Sequence, residues 1–321
     1  TTMKIVKAKI QYTTAYRHFD IQNLELDCAV PFHILIKKLY DYVIIIEAGT
    51  TITQKIYALL QKQEELYISK KDKEKEKLSP QNLQIYLHSN KTDMEKTLRL
   101  INTINNTIFE AYLKSEKNII NILSIEEVVK SVIYLIKSQP GFLKKAIPFF
   151  VFEYQIAHHS LHVLFYSIHL GHFLQLEDIQ LLRLGTAALL HDIGVKKVMS
   201  SILEKEDVLT PDELESAHKH STYSVEIAKQ NAMSDPYIIN AIMHHHECFD
   251  GSGYPQGLKG ENISTFASIL CICDVFDALT SERPHREKYS YFEALKLMMK
   301  DPALAKKYNQ EQLRVFLHSL L

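Results

Sequence analysis

The longest stretch of this chain free of Asp, Glu, Lys and Arg runs from Tyr154 to Leu176, and it contains His158, His159, His162, His169 and His172. Its length raises the question of a membrane span. Five imidazoles inside it argue against one. The same bias extends downstream, since eleven of the sixteen histidines fall between His158 and His246. Neutral imidazole is the commonest nitrogen ligand of transition metals, so a His-rich helical segment supplied with Asp at turn positions is a candidate metal site.

The surroundings are those of an ordinary globular protein. The 321 residues are 46% hydrophobic and 23% charged, which is enough apolar material for a core and more chain than one small domain needs. Lys plus Arg number 37 against 38 Asp plus Glu, so the charge balance gives no sign of a nucleic acid polymer or an anionic membrane surface as partner. Cys28, Cys248, Cys271 and Cys273 make no disulfide framework, and the expected compartment is a reducing cytoplasm. No secretory leader pattern opens the chain, and Thr1-Thr2 ahead of Met3 is left out of fold reasoning.

Three segments are expected. Residues 3–69 read as a small α+β module, with β-rich pieces at Phe32–Ile36 and Tyr42–Ile46 and a helix near Thr53–Gln63. Lys70–Lys77 is an unbroken run of eight charged residues of both signs, which cannot pack in a core and opens a linker and helical connector over 70–140. Within it, Leu98-Ile101-Ile104-Ile108-Leu113 and Val128-Val129-Val132-Ile133-Leu135-Ile136 recur at helical spacing. Pro140-Gly141 ends that connector, and 141–321 is expected to be an all-helical catalytic domain, making the chain mainly α.

The sharpest local signal is Leu189-Leu190-His191-Asp192-Ile193-Gly194, an apolar helix ending in adjacent nitrogen and carboxylate ligands before a helix-stopping glycine. It has companions in order: His159 lies thirty-two residues upstream, His220 twenty-nine downstream, then His245-His246-Glu247, and Asp274 twenty-eight after His246. Three consecutive histidines, His244 to His246, sweep about 200 degrees on a helix, so all three cannot converge on one site.

The stretch from His244 through Phe249-Asp250-Gly251-Ser252-Gly253-Tyr254-Pro255 to Gly260 resembles the signature of the HD-GYP family, phosphodiesterases of the HD superfamily that act on cyclic di-GMP, and Asp274 to Pro284 is similar to that family's following motif. The resemblance implies His159, His191, Asp192, His220, His245, His246 and Asp274 as metal ligands, with Asp192 bridging two divalent ions, and leaves His244, His158, His162 and His218 as flanking residues. Imidazole and carboxylate without thiolate suit iron or manganese, and the resemblance tilts the choice to iron. It further implies Asp192, Asp277 and Lys196 in catalysis, and Gly253, Tyr254, Pro255, Arg283 and Arg286 at the substrate, with Tyr254 against a guanine or ribose.

Three departures from the family pattern matter. Val195 stands where a lysine that would meet the scissile phosphate is usual, with Lys196 or Lys197 as neighbouring substitutes. Gln155 replaces a carboxylate that supports a third metal, so two ions are expected. Ser268 and His285 replace an arginine and a tyrosine, with consequences for packing more than for chemistry. The function implied is hydrolysis of cyclic di-GMP to pGpG or GMP, the rival being a receptor that binds the dinucleotide without turnover. A second copy of the chain or a signalling protein is the macromolecular partner left open.

Overall fold

The structure is a computed structural model, and it describes residues 15–24, 30, 32–38, 41–72, 94–150, 155–198, 210–282 and 287–320. The chain divides into two compact units, Thr1–Val128 and Val129–Leu321. The protein is mainly α.

The first unit contains a four-stranded antiparallel sheet in the order β1-β4-β2-β3, with β1 Tyr16–Phe19, β2 Ile34–Lys38, β3 Asp41–Ile46 and β4 Leu66–Ser69. The β-rich pieces read from sequence are the β2–β3 hairpin. Helix α1, Gln54–Leu60, begins where Thr53 accepts a hydrogen bond from the Ile56 amide, satisfying a donor that the first turn leaves unpaired. Phe19, Phe32, Ile34, Ile46, Ile52, Leu60 and Ile68 form the core of this module. Of the charged run, Lys70–Asp72 is a 3-10 turn, and Lys73–Lys77 lies outside the described residues.

Helix α2, Met94–Lys114, buries Leu98, Ile101, Ile104 and Ile108 as the periodicity predicts, but Leu113 is 44% exposed and the stripe is completed instead by Phe109 and Tyr112. One turn further along the same stripe, the buried positions are at three-residue steps from Phe109, and Leu113 falls off that face. Helix α3, Ile122–Ser138, follows, and Gly141 in a left-handed conformation starts the short α4, Phe142–Ala146.

The charge-free stretch forms helix α5, Ile156–Phe173, in which every residue from Ala157 to Gly171 is buried. A helix hydrophobic on all sides belongs at the centre of a bundle. It packs against α6 Asp178–Leu190, α10 Thr265–Thr280 and α13 Gln310–Leu320. Around it lie α7 Pro211–His218, α8 His220–Gln230, α9 Pro236–His244, α11 Tyr291–Lys300 and the short α12 Pro302–Ala305. No described helix is long and apolar enough to cross a membrane. Ser268 Oγ donates to Gln312 Oε1 at 2.7 Å inside the core.

Candidate metal centre

The histidines converge because helices end beside one another. His191 is the C-cap of α6, His245 the C-cap of α9, and His220 starts α8 immediately after the break that ends α7. At each of these ends the imidazole Nδ1–H donates to a carbonyl three residues earlier, Ala188 for His191 (2.7 Å), Ala217 for His220 (2.7 Å) and Ile242 for His245 (2.6 Å). These carbonyls are among those a helix end leaves without an internal partner. Fixing the proton on Nδ1 leaves the Nε2 lone pair to point inward. His159, in the first turn of α5, donates its Nδ1–H to Asp277 Oδ2 at 2.8 Å with the same consequence.

The inward atoms form two groups sharing one carboxylate. On one side, Asp192 Oδ2 lies 3.6 Å from His159 Nε2 and 3.7 Å from His191 Nε2, with Asp274 Oδ1 3.2 Å from His159 Nε2. On the other, Asp192 Oδ1 lies 3.3 Å from His220 Nε2 and 3.7 Å from His245 Nε2. His246 completes that side, with Nε2 3.0 Å from His220 Nε2 and Nδ1 3.7 Å from Asp274 Oδ2.

Two ligands on one ion with bonds of about 2.1 Å stand roughly 3.0–3.4 Å apart at octahedral or tetrahedral angles, and these donors lie 3.0–3.7 Å apart, close to that spacing. With both Nδ1 protons committed to carbonyls, the Nε2 lone pairs of His220 and His245 face each other at 3.3 Å and repel unless a cation lies between them, while His159 Nε2 and His191 Nε2 approach to 3.2 Å. The residues therefore fit one metal in the group of His159, His191 and Asp192, and another in that of Asp192, His220, His245 and His246.

The electrostatics agree. Burial alone would raise the Asp192 carboxyl, but the imidazoles of His191, His245, His220 and His159 hold it well below the usual range. Asp274 is depressed in the same way by His159 and His246. Burial lowers His191 to about 4 and also lowers His220 and His246, keeping these rings neutral and able to ligate. His159 is the exception, because its bonds to Asp274 and Asp277 outweigh burial and raise it.

Several sequence expectations acquire a definite geometry. The helix ends at His244, so His245 and His246 escape the 200-degree sweep and both reach the cluster, while His244 is buried outside it. Asp277, expected in catalysis, sits behind His159: its fully buried carboxylate accepts from Nδ1 of His159 and of His162 (2.9 Å), so it orients a ligand rather than facing the shared space. His162, read as a flanking residue, thus anchors that carboxylate while stacking on Phe150 at 4.5 Å. Gly194 does not stop the helix, which ends at Leu190. A Cβ on it would lie 2.1 Å from the His220 carbonyl and 2.4 Å from the Ser224 amide, so glycine is required by the close approach of the turn to α8.

Val195 lies in the 3-10 turn Ile193–Lys197, its amide donating to the Asp192 carbonyl at 3.0 Å. Lys197 is drawn to Glu226 at 2.9 Å and lies over the Tyr223 ring. Partial burial lowers the Lys196 amine. Gln155 precedes α5 with an exposed side chain. Arg283, His285 and Arg286 lie outside the described residues.

The loop after the histidine triplet is tied to the centre by Glu247, which has no role in the sequence reading beyond its place in the motif. Glu247 is 1% exposed, and its carboxylate accepts hydrogen bonds from the amides of Gln256 (2.7 Å) and Leu258 (2.8 Å). A buried acid directly after two ligand histidines and ahead of a glycine-rich loop was the available signal. A Cβ at Gly253 would lie 2.3 Å from the Cys248 amide, so this residue too is glycine by close approach. Tyr254 and Pro255 are joined by a cis peptide. The Tyr254 ring stacks on His246 at 4.7 Å and on His218 at 3.7 Å, and burial raises its hydroxyl so that it stays protonated.

Comparison with known proteins places this architecture. The family model of the HD domain matches residues 151–309. The chain is 36% identical over 140 residues, 44% of its own length and 34% of the relative's, to a cyclic di-GMP phosphodiesterase of Pseudomonas aeruginosa. It is 37% identical over 144 residues, 44% of its length and 31% of the relative's, to a 3'3'-cGAMP-specific phosphodiesterase of Vibrio cholerae. It thus spans about a third of the length of these curated relatives. Its fold is similar to that of an HDG"Y"P protein of Bdellovibrio bacteriovorus, with a TM-score of 0.63 at 19% identity over 95% of this chain and 99% of that one. With the ordered histidines and aspartates, the Gly253-Tyr254-Pro255 loop and the matching segment in one place, residues 151–309 are an HD domain of the HD-GYP family.

Proposed function

We propose that this chain is a metal-dependent phosphodiesterase that hydrolyses cyclic di-GMP to pGpG or GMP. The observation that carries the reading is the shared carboxylate: Asp192 presents one oxygen to His159 and His191 and the other to His220 and His245, the arrangement needed to hold two ions side by side. Two divalent ions held there, iron or manganese by the imidazole and carboxylate donor set, supply Lewis-acid stabilisation of charge on a phosphoryl oxygen.

The residues of the chain divide the remaining work. His159, His191, His220, His245, His246, Asp192 and Asp274 are the ligands, and Asp277 orients His159 through Nδ1. Glu247 holds the loop of Gly253, Tyr254 and Pro255 beside the centre, so that the rim of Tyr254 and the loop amides meet the dinucleotide. Arg283 and Arg286 are the candidate phosphate contacts, by the planar fork that pairs with phosphate oxygens. Lys196 is the candidate cation in the turn that follows Asp192, and Gln155 makes a third ion unnecessary to the account.

A second reading has one observation in its favour. Val195 replaces the usual lysine and Lys197 is engaged by Glu226, which suits a receptor that binds cyclic di-GMP without turnover. Incubating metal-replete protein with cyclic di-GMP and, separately, with 3'3'-cGAMP, and resolving the products by chromatography, decides between the two. Linear pGpG or GMP supports the enzyme. Binding with no product supports the receptor, and cleavage of 3'3'-cGAMP alone replaces the substrate.

A further inference from the structure

His218 is the last residue of α7, Lys219 forms the break, and His220 is the first residue of α8. The two histidines on either side of this break serve different neighbours. His220 reaches Asp192, whereas the His218 ring lies 3.7 Å from the Tyr254 ring at an interplanar angle of 12°. Tyr254 is also stacked on His246, at 4.7 Å and 29°. One tyrosine face cannot seat two near-parallel imidazoles at those distances without overlap, so His246 and His218 take opposite faces. The result is a stack of three rings, His246, Tyr254 and His218, leading outward from the ligand cluster.

We propose that His218 is a positioning residue that clamps Tyr254 against His246, so that the tyrosine meets a cyclic dinucleotide with its hydroxyl and ring edge and not as a stacking platform for a base. This rests on the cyclic di-GMP reading given above. The physical argument is that a purine stacks only on an open π-face, and both faces of Tyr254 are taken by protein rings. His218 contributes an aromatic contact that a simple loop tether does not, because removing it opens one face and frees the ring to rotate.

The test uses the full chain with two metal ions per protein and measures by calorimetry the affinity for a hydrolysis-resistant phosphorothioate analogue of cyclic di-GMP, with metal content and thermal melting recorded for every variant. His218→Ala is expected to bind about fivefold to tenfold more weakly, and His218→Phe, which keeps a flat ring on the tyrosine, to lie within about twofold of the natural protein. In a Tyr254→Ala background, His218→Ala should add no further loss, because the residue acts through Tyr254. Tighter binding by His218→Ala overturns the proposal, since it means the exposed tyrosine face is a base platform. Failure of His218→Phe to restore affinity, or an undiminished loss in the Tyr254→Ala background, also overturns it. A natural protein that binds the dinucleotide with an affinity indifferent to position 218 overturns this inference alone. A metal-loaded natural protein that binds no cyclic di-GMP overturns the functional reading with it.

Discussion

Replacing Gly194 with alanine tests how the fold holds one half of the metal centre. The added Cβ would lie 2.1 Å from the His220 carbonyl, 2.4 Å from the Ser224 amide and 2.8 Å from Ser224 Oγ, whereas ordinary contact begins at 3.4 Å. Two of these atoms are backbone, so no rotamer relieves the overlap and the turn must separate from the start of α8 by more than about 1 Å. The Gly194 amide then loses its 2.8 Å bond to Ser224 Oγ. His220 Nε2 is 3.3 Å from Asp192 Oδ1, and two bonds of about 2.1 Å span at most about 4.2 Å even when collinear, so that displacement takes the pair out of reach of a common ion. Overpacking of this kind costs about 1–3 kcal/mol of stability. The expected result is a Tm lowered by several degrees and metal content close to one ion per chain by elemental analysis, with the ion retained by His159, His191 and Asp192. A variant that keeps two ions per chain and melts with the natural protein would refute both the requirement for glycine and the assignment of His220.

Three further outcomes follow from the same geometry. Asp277→Asn replaces an acceptor of two imidazole N–H bonds with a group that can offer only one carbonyl, and should weaken metal binding by about tenfold to a hundredfold in a chelator competition; unchanged affinity would remove Asp277 from the support of His159. Val195→Lys should speed cyclic di-GMP hydrolysis on the order of tenfold if the new charge gives ~1.4 kcal/mol to the transition state, with a smaller change in affinity, and a neutral or harmful effect would return the role to Lys196 or Arg283. Burial lowers His169 to about 4, and its Nε2–H donates to the Ser319 carbonyl at 3.3 Å. Its folded pKa lies below the unfolded value, so the unfolded chain takes up the proton first. The contribution is complete above about pH 6.5, is lost as pH falls toward 4, and amounts to at most about 3 kcal/mol. Denaturant melts at pH 7 and pH 4.5 should therefore differ less in His169→Gln than in the natural protein, and equal differences would contradict the assignment.

What the sequence made legible is whatever short-range chemistry encodes. The stretch without charge but rich in histidine could be read as no membrane span, and the candidate ligands could be read from the resemblance of their motifs, among them the adjacent pairs His191-Asp192 and His245-His246. At these helix ends the spacing marked the candidate residues, but the Nδ1 bonds to Ala188, Ala217 and Ile242 that aim them depend on where each helix stops. Long-range partners left no trace. The stack of His218 on Tyr254, the His162 bond to Asp277 and the approach of Gly194 to His220 join distant positions through ordinary residue types. In the first unit, β1 and β4 are four residues each and gain their place by pairing with each other, so neither carries enough alternation to stand out alone.

The proposed activity depends most directly on the number of ions that turnover requires. Metal-free protein titrated with iron(II) or manganese(II) under anaerobic conditions, with cyclic di-GMP hydrolysis followed at each step, should show a rate that rises with the second equivalent and saturates at two ions per chain. Asp192→Ala should show no comparable rise, because one carboxylate serves both groups. Saturation at a single equivalent, full turnover in the presence of excess chelator, or a natural rate in Asp192→Ala would contradict the two-ion phosphodiesterase.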